Sequence, residues 1–113
     1  VTLATTNFTA TVPASVVAHV VALLRATRPG EPGCPPAVRE LLQWGAGPCA
    51  GQQLVAAAQA RAALDGRPAV TIADVRALAE AALEHRLVRS FAAESRAVST
   101  AEILHKVLTA VPG

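Results

Sequence analysis

Three segments rich in proline and glycine, residues 29–36, 45–48 and 65–68, constrain what this chain can fold into more than any other feature. Proline lacks a backbone donor and glycine favours turns, so these segments end any helix that reaches them. Between them, apolar residues recur at helical spacing over short stretches. The chain must therefore fold as several short helices joined by turns.

The composition favours helices over sheets. Apolar residues make up 52% of the 113 residues, and they are mainly Ala, Val and Leu. Phe8, Trp44 and Phe91 are the only aromatic residues. Strands are usually richer in aromatic and β-branched residues, whereas alanine allows helices to pack closely. We predict one all-α domain, a small bundle of about five helices.

The first three helices are bounded by proline and glycine. The first is predicted over about 13–28, and the second is short, from Pro36 to a C-cap at Gly45. The third is predicted over about 48–65 and is closed by Gly66.

Capping boxes mark the start of two more helices. In "TIAD" Thr71 precedes Asp74, and in "STAE" Ser99 precedes Glu102. In each box a hydroxyl and a carboxylate satisfy the first free amides of a helix. The sequence predicts no particular form for the segment 85–98.

The N-terminal residues 1–12 differ from the rest of the chain. They are rich in Thr and lack a helical period, so we expect an extended arm or a linker remnant, followed by the helical domain over 13–113. The chain begins with Val rather than Met, which leads us to expect a piece of a longer protein.

Several classes of function find no support in the sequence. There is no apolar run of about 18 residues to span a membrane, and the start does not resemble a signal peptide. The formal net charge is only +2, with basic and acidic residues interspersed, so nucleic-acid binding is not indicated. The chain has no Gly-Lys pair for a P-loop, no HExxH and no nucleophile elbow. We predict no catalytic centre.

Metal binding is not predicted either. Glu102 and His105 form one ExxH, but di-iron bundles need two such pairs and further carboxylates. Cys34 and Cys49 are too far apart for a CxxC motif and lack additional Cys or His partners. We expect two reduced thiols in a cytosolic protein, although a disulfide between them stays possible on sequence grounds.

The stretch "WGAGPCAGQQL", residues 44–54, carries the most information about function. Gly45 and Gly47 allow a positive φ, and Pro48 suits the first turn of a helix, so a sharp reversal is predicted. Cys49 then lies in the first helical turn, where free amides can bind an anion. The alternative is a structural interhelical turn with a half-buried cysteine.

The order of motifs resembles the C-terminal lid domain of the MoxR family of AAA+ ATPases. The motifs are "LLRATRP", "WGAGPCAGQQL", "ALDGRPAVTIADVRAL", "LEHRL" and a capped final helix ending in "VPG". The resemblance covers about 12–113. It implies a parent protein whose P-loop domain binds ATP and Mg, with this chain closing over the nucleotide. The chain alone would then not be an enzyme.

One departure from the family pattern affects the expected site. The turn that matches residues 45–50 usually reads Gly-Ala-Ser/Gly-Pro-Arg-Ala, and its arginine, the second sensor, reaches the phosphates. The resemblance thus implies a nucleotide-binding turn at Gly47, Pro48 and Cys49, with Cys49 in place of the arginine. A thiol cannot replace a guanidinium. Either the parent ATPase is weakened, or another arginine compensates, with Arg39 and Arg61 as candidates.

The resemblance carries further expectations. His85 and Arg86 match a His-Arg pair of the family and are candidates for an interface. Arg67 is expected to bind carbonyls at a helix end. Family membership implies a ring, usually a hexamer, with chaperone-like work on client complexes and von Willebrand factor A domain partners. We expect a bacterial cytoplasmic protein without nucleic acid or membrane insertion.

Two other classes of function remain open on the sequence. The stretch "RPAVTIADVRALAEAAL" resembles the end of a histone fold, which would associate with DNA, but the long central helix and a basic cluster are missing. A protein-interaction module unrelated to ATP is the third possibility.

Overall fold

Six α-helices, one 3₁₀ helix and a two-stranded sheet make up residues 10–112, the part of the chain that this computed structural model describes. The elements in chain order are α1 (Ala14–Ala26), α2 (Pro36–Arg39), β1 (Leu42–Trp44), α3 (Pro48–Leu64), α4 (Ile72–Leu83), the 3₁₀ helix (Glu84–Arg86), β2 (Val88–Arg89), α5 (Phe91–Ser95) and α6 (Thr100–Ala110). The prediction of a helical bundle is confirmed, with a small sheet added.

Helix α3 is the centre of the bundle and packs against both α1 and α4. Its buried residues follow helical spacing, and all but one are Ala or Gly: Ala50, Gly51, Leu54, Ala58 and Ala62. Small side chains let the neighbouring helices approach closely. At Gly51 the approach is so close that a Cβ atom would lie 2.6 Å from Leu24 Cδ1 of α1.

Larger side chains fill the core around α3. Leu23 of α1, Leu54 of α3, Leu83 of α4 and the pair Ile103 and Leu104 of α6 are all essentially inaccessible to solvent. The four long helices therefore share one hydrophobic core.

The start of α4 is joined to the end of α3 by a buried carboxylate. Asp74 forms the predicted capping box with Thr71, whose side chain accepts from the Asp74 amide. Arg67 donates to both carboxylate oxygens of Asp74, at 2.8 and 2.6 Å, and Arg61 of α3 donates to Oδ1 at 3.1 Å. Arg67 was expected to bind helix-end carbonyls, but its side chain binds the carboxylates of Asp65 and Asp74 instead.

A second polar junction ties the end of α6 to α4. Arg76 donates to the carbonyl oxygens of Leu108 and Val111, at 2.6 and 2.5 Å, and so satisfies acceptors that the helix end leaves free. His19 of α1 is buried beside it, with Nε2 3.5 Å from Arg76 Nη1. Burial and then the charge of Arg76 lower the pKa of His19, which favours the neutral ring.

The second predicted helix is much shorter than expected. It ends at Arg39, and Leu42–Trp44 forms β1, which pairs antiparallel with β2, so Gly45 is not a C-cap. Ser90 reinforces this pairing because its amide donates to Leu41 O at 3.0 Å. The strand partners are more than 40 residues apart, so local periodicity could not reveal the sheet. The segment 85–98, for which the sequence predicts no particular structure, contains β2 and α5.

The prediction of a positive φ at Gly45 and Gly47 was wrong. Among the glycines of residues 10–112, only Gly66 has a positive φ, +72°, and it follows α3 as predicted. Gly45 is required for a different reason. A Cβ atom there would lie 2.0 Å from the carbonyl oxygen of Thr27, which no side chain can tolerate.

Of the arm predicted over residues 1–12, residues 1–9 lie outside the described part of the chain. The remaining residues are extended: Thr11 forms a parallel bridge with Ala69, and its amide donates to Pro68 O at 2.8 Å. Ala10 is buried, and its carbonyl accepts from Gln59 Nε2 at 3.0 Å. The end of the arm thus packs along α3 and the loop after it.

We expect Gly45→Ala to lower the free energy of unfolding by about 3 kcal/mol, because the added methyl group overlaps the Thr27 backbone. Gly30→Ala is the matched control. It has nothing within 4 Å of the new Cβ, so its effect should stay within about 0.5 kcal/mol. Urea unfolding of the two variants measures both values, and equal stabilities would contradict the close approach.

We expect Asp74→Ala to lower the free energy of unfolding by about 3 kcal/mol, since it removes a buried ion-pair partner and a capping group. Asp65→Ala removes an exposed partner of the same Arg67 and should cost less than about 1 kcal/mol. Chemical denaturation of both variants makes the comparison.

The contribution of Asp74 should also depend on pH. The Arg67 guanidinium holds the pKa of Asp74 well below its usual range. Below about pH 4 the carboxyl group of residue 74 is protonated in the unfolded chain but not in the native one. The free energy of unfolding therefore decreases as the pH is lowered. The difference in the free energy of unfolding between wild type and Asp74→Ala should be constant above about pH 5 and shrink towards pH 2. A difference that does not change over this range would contradict the ion pair.

Candidate functional site

The candidate site is the turn between β1 and α3, residues 45–50, which we call the Gly-Pro turn. Thr27, at the C-terminal cap of α1, holds it in place. The Ala46 amide donates to Thr27 Oγ1 at 3.1 Å, and the hydroxyl donates to Leu24 O at 2.7 Å. Thr27 and Ala46 are completely buried. The turn is therefore fixed to the end of α1.

Beyond this buried anchor the turn opens to solvent. Gly47 is extended, with φ −98° and ψ −175°, and its position as N-cap provides no side-chain acceptor. Pro48 occupies the first helical position, where its missing amide costs nothing. The amides of Ala50 and Gly51 donate to Gly47 O at 3.1 and 3.4 Å, so among the first four residues of α3 the amide of Cys49 remains available to an outside acceptor.

Cys49 lies in this first turn of α3, and its side chain is exposed rather than half-buried. The start of α3 therefore presents the Cys49 amide and thiol, and residues 45–50 have no charged side chain. The helix N-terminus favours an anion, yet it lacks the forked donor of an arginine.

The two arginines named as compensating candidates are engaged elsewhere. Arg61 lies twelve residues after Cys49 on α3, roughly 18 Å along the axis at 1.5 Å per residue, and it binds Asp74. Arg39 donates to Cys34 O at 3.1 Å and to Glu31 O at 3.5 Å, which ties down the loop before α2. The structure does not bring Arg61 to the Gly-Pro turn.

The structure brings a different arginine, Arg86, to the face of α3 that follows the turn. Arg86 belongs to the 3₁₀ helix after α4, and its Nη2 donates to Oε1 of Gln53 on α3. Gln53 is four residues after Cys49, so the two side chains lie on one face of α3. This four-residue spacing was visible in the sequence, but its link to Arg86 was not. The neighbouring His85 is exposed.

Apolar surface flanks the turn on both sides. Trp44, directly before the turn, is 65% exposed and pairs with Val88 of β2. Phe91, three residues after Val88, is 83% exposed. On the other side, an apolar groove of about 430 Å³ runs between α1 and α3, and Val17, Val21 and Pro48 line part of it. Exposed apolar surface of this kind is typical of a contact with another domain or subunit.

No group of three or more His, Cys, Asp or Glu side chains in residues 10–112 could hold a metal ion. The helices of the same residues include none that is long and apolar enough to cross a membrane.

The fold and the turn together define a small helical lid domain. Residues 36–107 match the AAA lid domain family, and this range includes the Gly-Pro turn, α3, α4 and most of α6. The chain belongs to the AAA lid domain family.

The fold is also similar to part of a known structure. A crystal structure of a candidate ATPase from Cytophaga hutchinsonii superposes with a TM-score of 0.82 and 30% sequence identity. The match covers 90% of this chain but only 31% of that one, so this chain spans less than a third of its length. No curated protein matches the chain.

We expect one cysteine of the native protein to react rapidly with a thiol reagent. Cys49 is exposed, whereas Cys34 is 2% exposed and burial raises the pKa of its thiol. Titration with a chromogenic disulfide should give one fast equivalent, and a second after denaturation. Cys49→Ser should abolish the fast equivalent, and fast labelling of that variant would contradict the exposed position of Cys49.

Proposed function

We propose that this chain is the C-terminal lid of a MoxR-type AAA+ ATPase and closes over ATP bound by a P-loop domain of the same protein. The observation that carries the proposal is the match of residues 36–107 to the AAA lid domain family. The likeness to a candidate ATPase of about three times this length supports it. The MoxR assignment rests on the order of the sequence motifs.

The Gly-Pro turn is the part of the lid that faces the nucleotide in this proposal. The Cys49 amide at the start of α3 suits a phosphate group, because it is a donor outside the helical ladder at the positive end of the helix dipole. Thr27 anchors the turn to α1, so the turn moves together with the bundle when the lid closes. ATP and Mg are held by the P-loop domain, which supplies the chemistry of hydrolysis.

The lid contacts its own P-loop domain through the apolar surface beside the turn. The groove between α1 and α3 starts at Pro48, and Trp44 precedes the turn, so the same movement that brings the Cys49 amide to the phosphates covers both surfaces. A lid held this way couples nucleotide state to the position of the whole helical domain.

Further partners follow from the MoxR assignment and belong to the same proposal. They are neighbouring subunits of a hexameric ring, a von Willebrand factor A domain protein, and client complexes on which the ATPase acts as a chaperone. We place this protein in the bacterial cytoplasm. His85, exposed at the end of α4, is available for a contact between subunits.

The experiment that tests the proposal places a negative charge at the Gly-Pro turn of the full-length protein. Cys49→Glu should weaken ATP binding at least tenfold, because a carboxylate next to the bound phosphates would repel their negative charge. Cys49→Gln has a similar shape without the charge and serves as the control. Fluorescence titration with a labelled ATP analogue measures both dissociation constants.

Equal ATP affinity of the Glu and Gln variants would contradict a turn placed at the phosphates. Binding of duplex DNA by the wild type, with a steep dependence on salt, would favour the histone-like class instead. A wild-type protein that binds neither ligand would favour an interaction module unrelated to ATP.

A further inference from the structure

The Gly-Pro turn lacks a cationic side chain, yet a guanidinium lies beside it. Arg86 Nη2 donates to Oε1 of Gln53, one helical turn after Cys49 on α3. Residues four apart on a helix have Cβ atoms about 5–6 Å from each other. Side chains on a helix also lean towards its N-terminus, so Gln53 leans towards the turn. The Arg86 guanidinium is thus held within about one helical turn of position 49.

The partner of Arg86 orients its guanidinium towards α3 without neutralising its charge. Gln53 offers a neutral amide oxygen, and it accepts one of the five guanidinium donors. Within residues 10–112, no carboxylate lies at ion-pair distance from Arg86, whereas Arg61, Arg67 and Arg96 all pair with Asp or Glu. A fixed guanidinium with unused donors suits a phosphate, which accepts two parallel hydrogen bonds from arginine.

We infer that Arg86, positioned by Gln53, supplies to the nucleotide phosphates the guanidinium that position 49 lacks. This inference rests on the proposed function, because it takes the Gly-Pro turn to face ATP. The cation reaches the phosphates from the 3₁₀ helix after α4, not from α3 itself. Binding therefore uses two elements: the Cys49 amide from the start of α3 and a guanidinium from the 3₁₀ helix after α4.

The test compares the ATPase activity of three variants of the full-length protein. Arg86→Gln removes the charge, and Gln53→Ala removes the positioning group. Arg96→Gln is the matched control, since Arg96 is an exposed arginine at the end of α5 that pairs with Glu40. We expect kcat/KM for ATP to fall at least tenfold in Arg86→Gln and severalfold in Gln53→Ala, with Arg96→Gln within twofold of the wild type.

A second-site variant separates a phosphate contact from a structural role. Cys49→Arg restores an arginine at the position where the family carries its sensor, so it should recover most of the ATPase activity lost in Arg86→Gln. Sedimentation velocity with ATP reports ring assembly for each variant, and circular dichroism reports folding.

Three outcomes would overturn the inference. Arg86→Gln that binds and hydrolyses ATP like the wild type would exclude a phosphate contact. A loss of activity that Cys49→Arg does not recover, together with loss of the ring, would make Arg86 a contact between subunits. A wild-type protein that binds no ATP would remove the proposed function as well, which distinguishes that failure from the first two.

Discussion

The close approach between the end of α1 and the start of α3 is the constraint on which the rest of the site depends. Gly45 passes so near the Thr27 carbonyl that any side chain would overlap it, and the Thr27 hydroxyl accepts from the next amide. The glycine at 45 and the hydroxyl at 27 thus tie the start of α3 to the end of α1. The Gly-Pro turn, the exposed Cys49 and the groove beside Pro48 all follow from that connection.

Much of the helical architecture could be predicted because it is encoded locally. Proline, glycine and the Thr71–Asp74 capping box mark helix ends within a few residues, and α1, α3, α4 and α6 lie where these signals place them. The short sheet could not be predicted, because Trp44 pairs with Val88 across more than 40 residues. The requirement at Gly45 was misread for the same reason: a tertiary approach to Thr27, not a positive φ, selects glycine.

The candidate site shows the same division between local and tertiary information. The Gly-Pro turn and the absence of an arginine at position 49 can be read from the sequence, and so can the spacing of Cys49 and Gln53. Which arginine is available to a phosphate cannot be read from the sequence, because it depends on which arginines already bind carboxylates or carbonyls. Arg61 is bound to Asp74 and Arg39 to the carbonyl of Cys34, whereas Arg86 is held by a neutral amide. In this account the guanidinium near the phosphates comes from the 3₁₀ helix after α4 rather than from α3.

The most direct measurement is a structure of the full-length protein with a non-hydrolysable ATP analogue. The account predicts that the Cys49 amide of the Gly-Pro turn faces the phosphates and that a guanidinium nitrogen of Arg86 lies about 2.7–2.9 Å from a phosphate oxygen. A nucleotide bound far from residues 47–49, with Arg86 turned towards a neighbouring subunit, would contradict it.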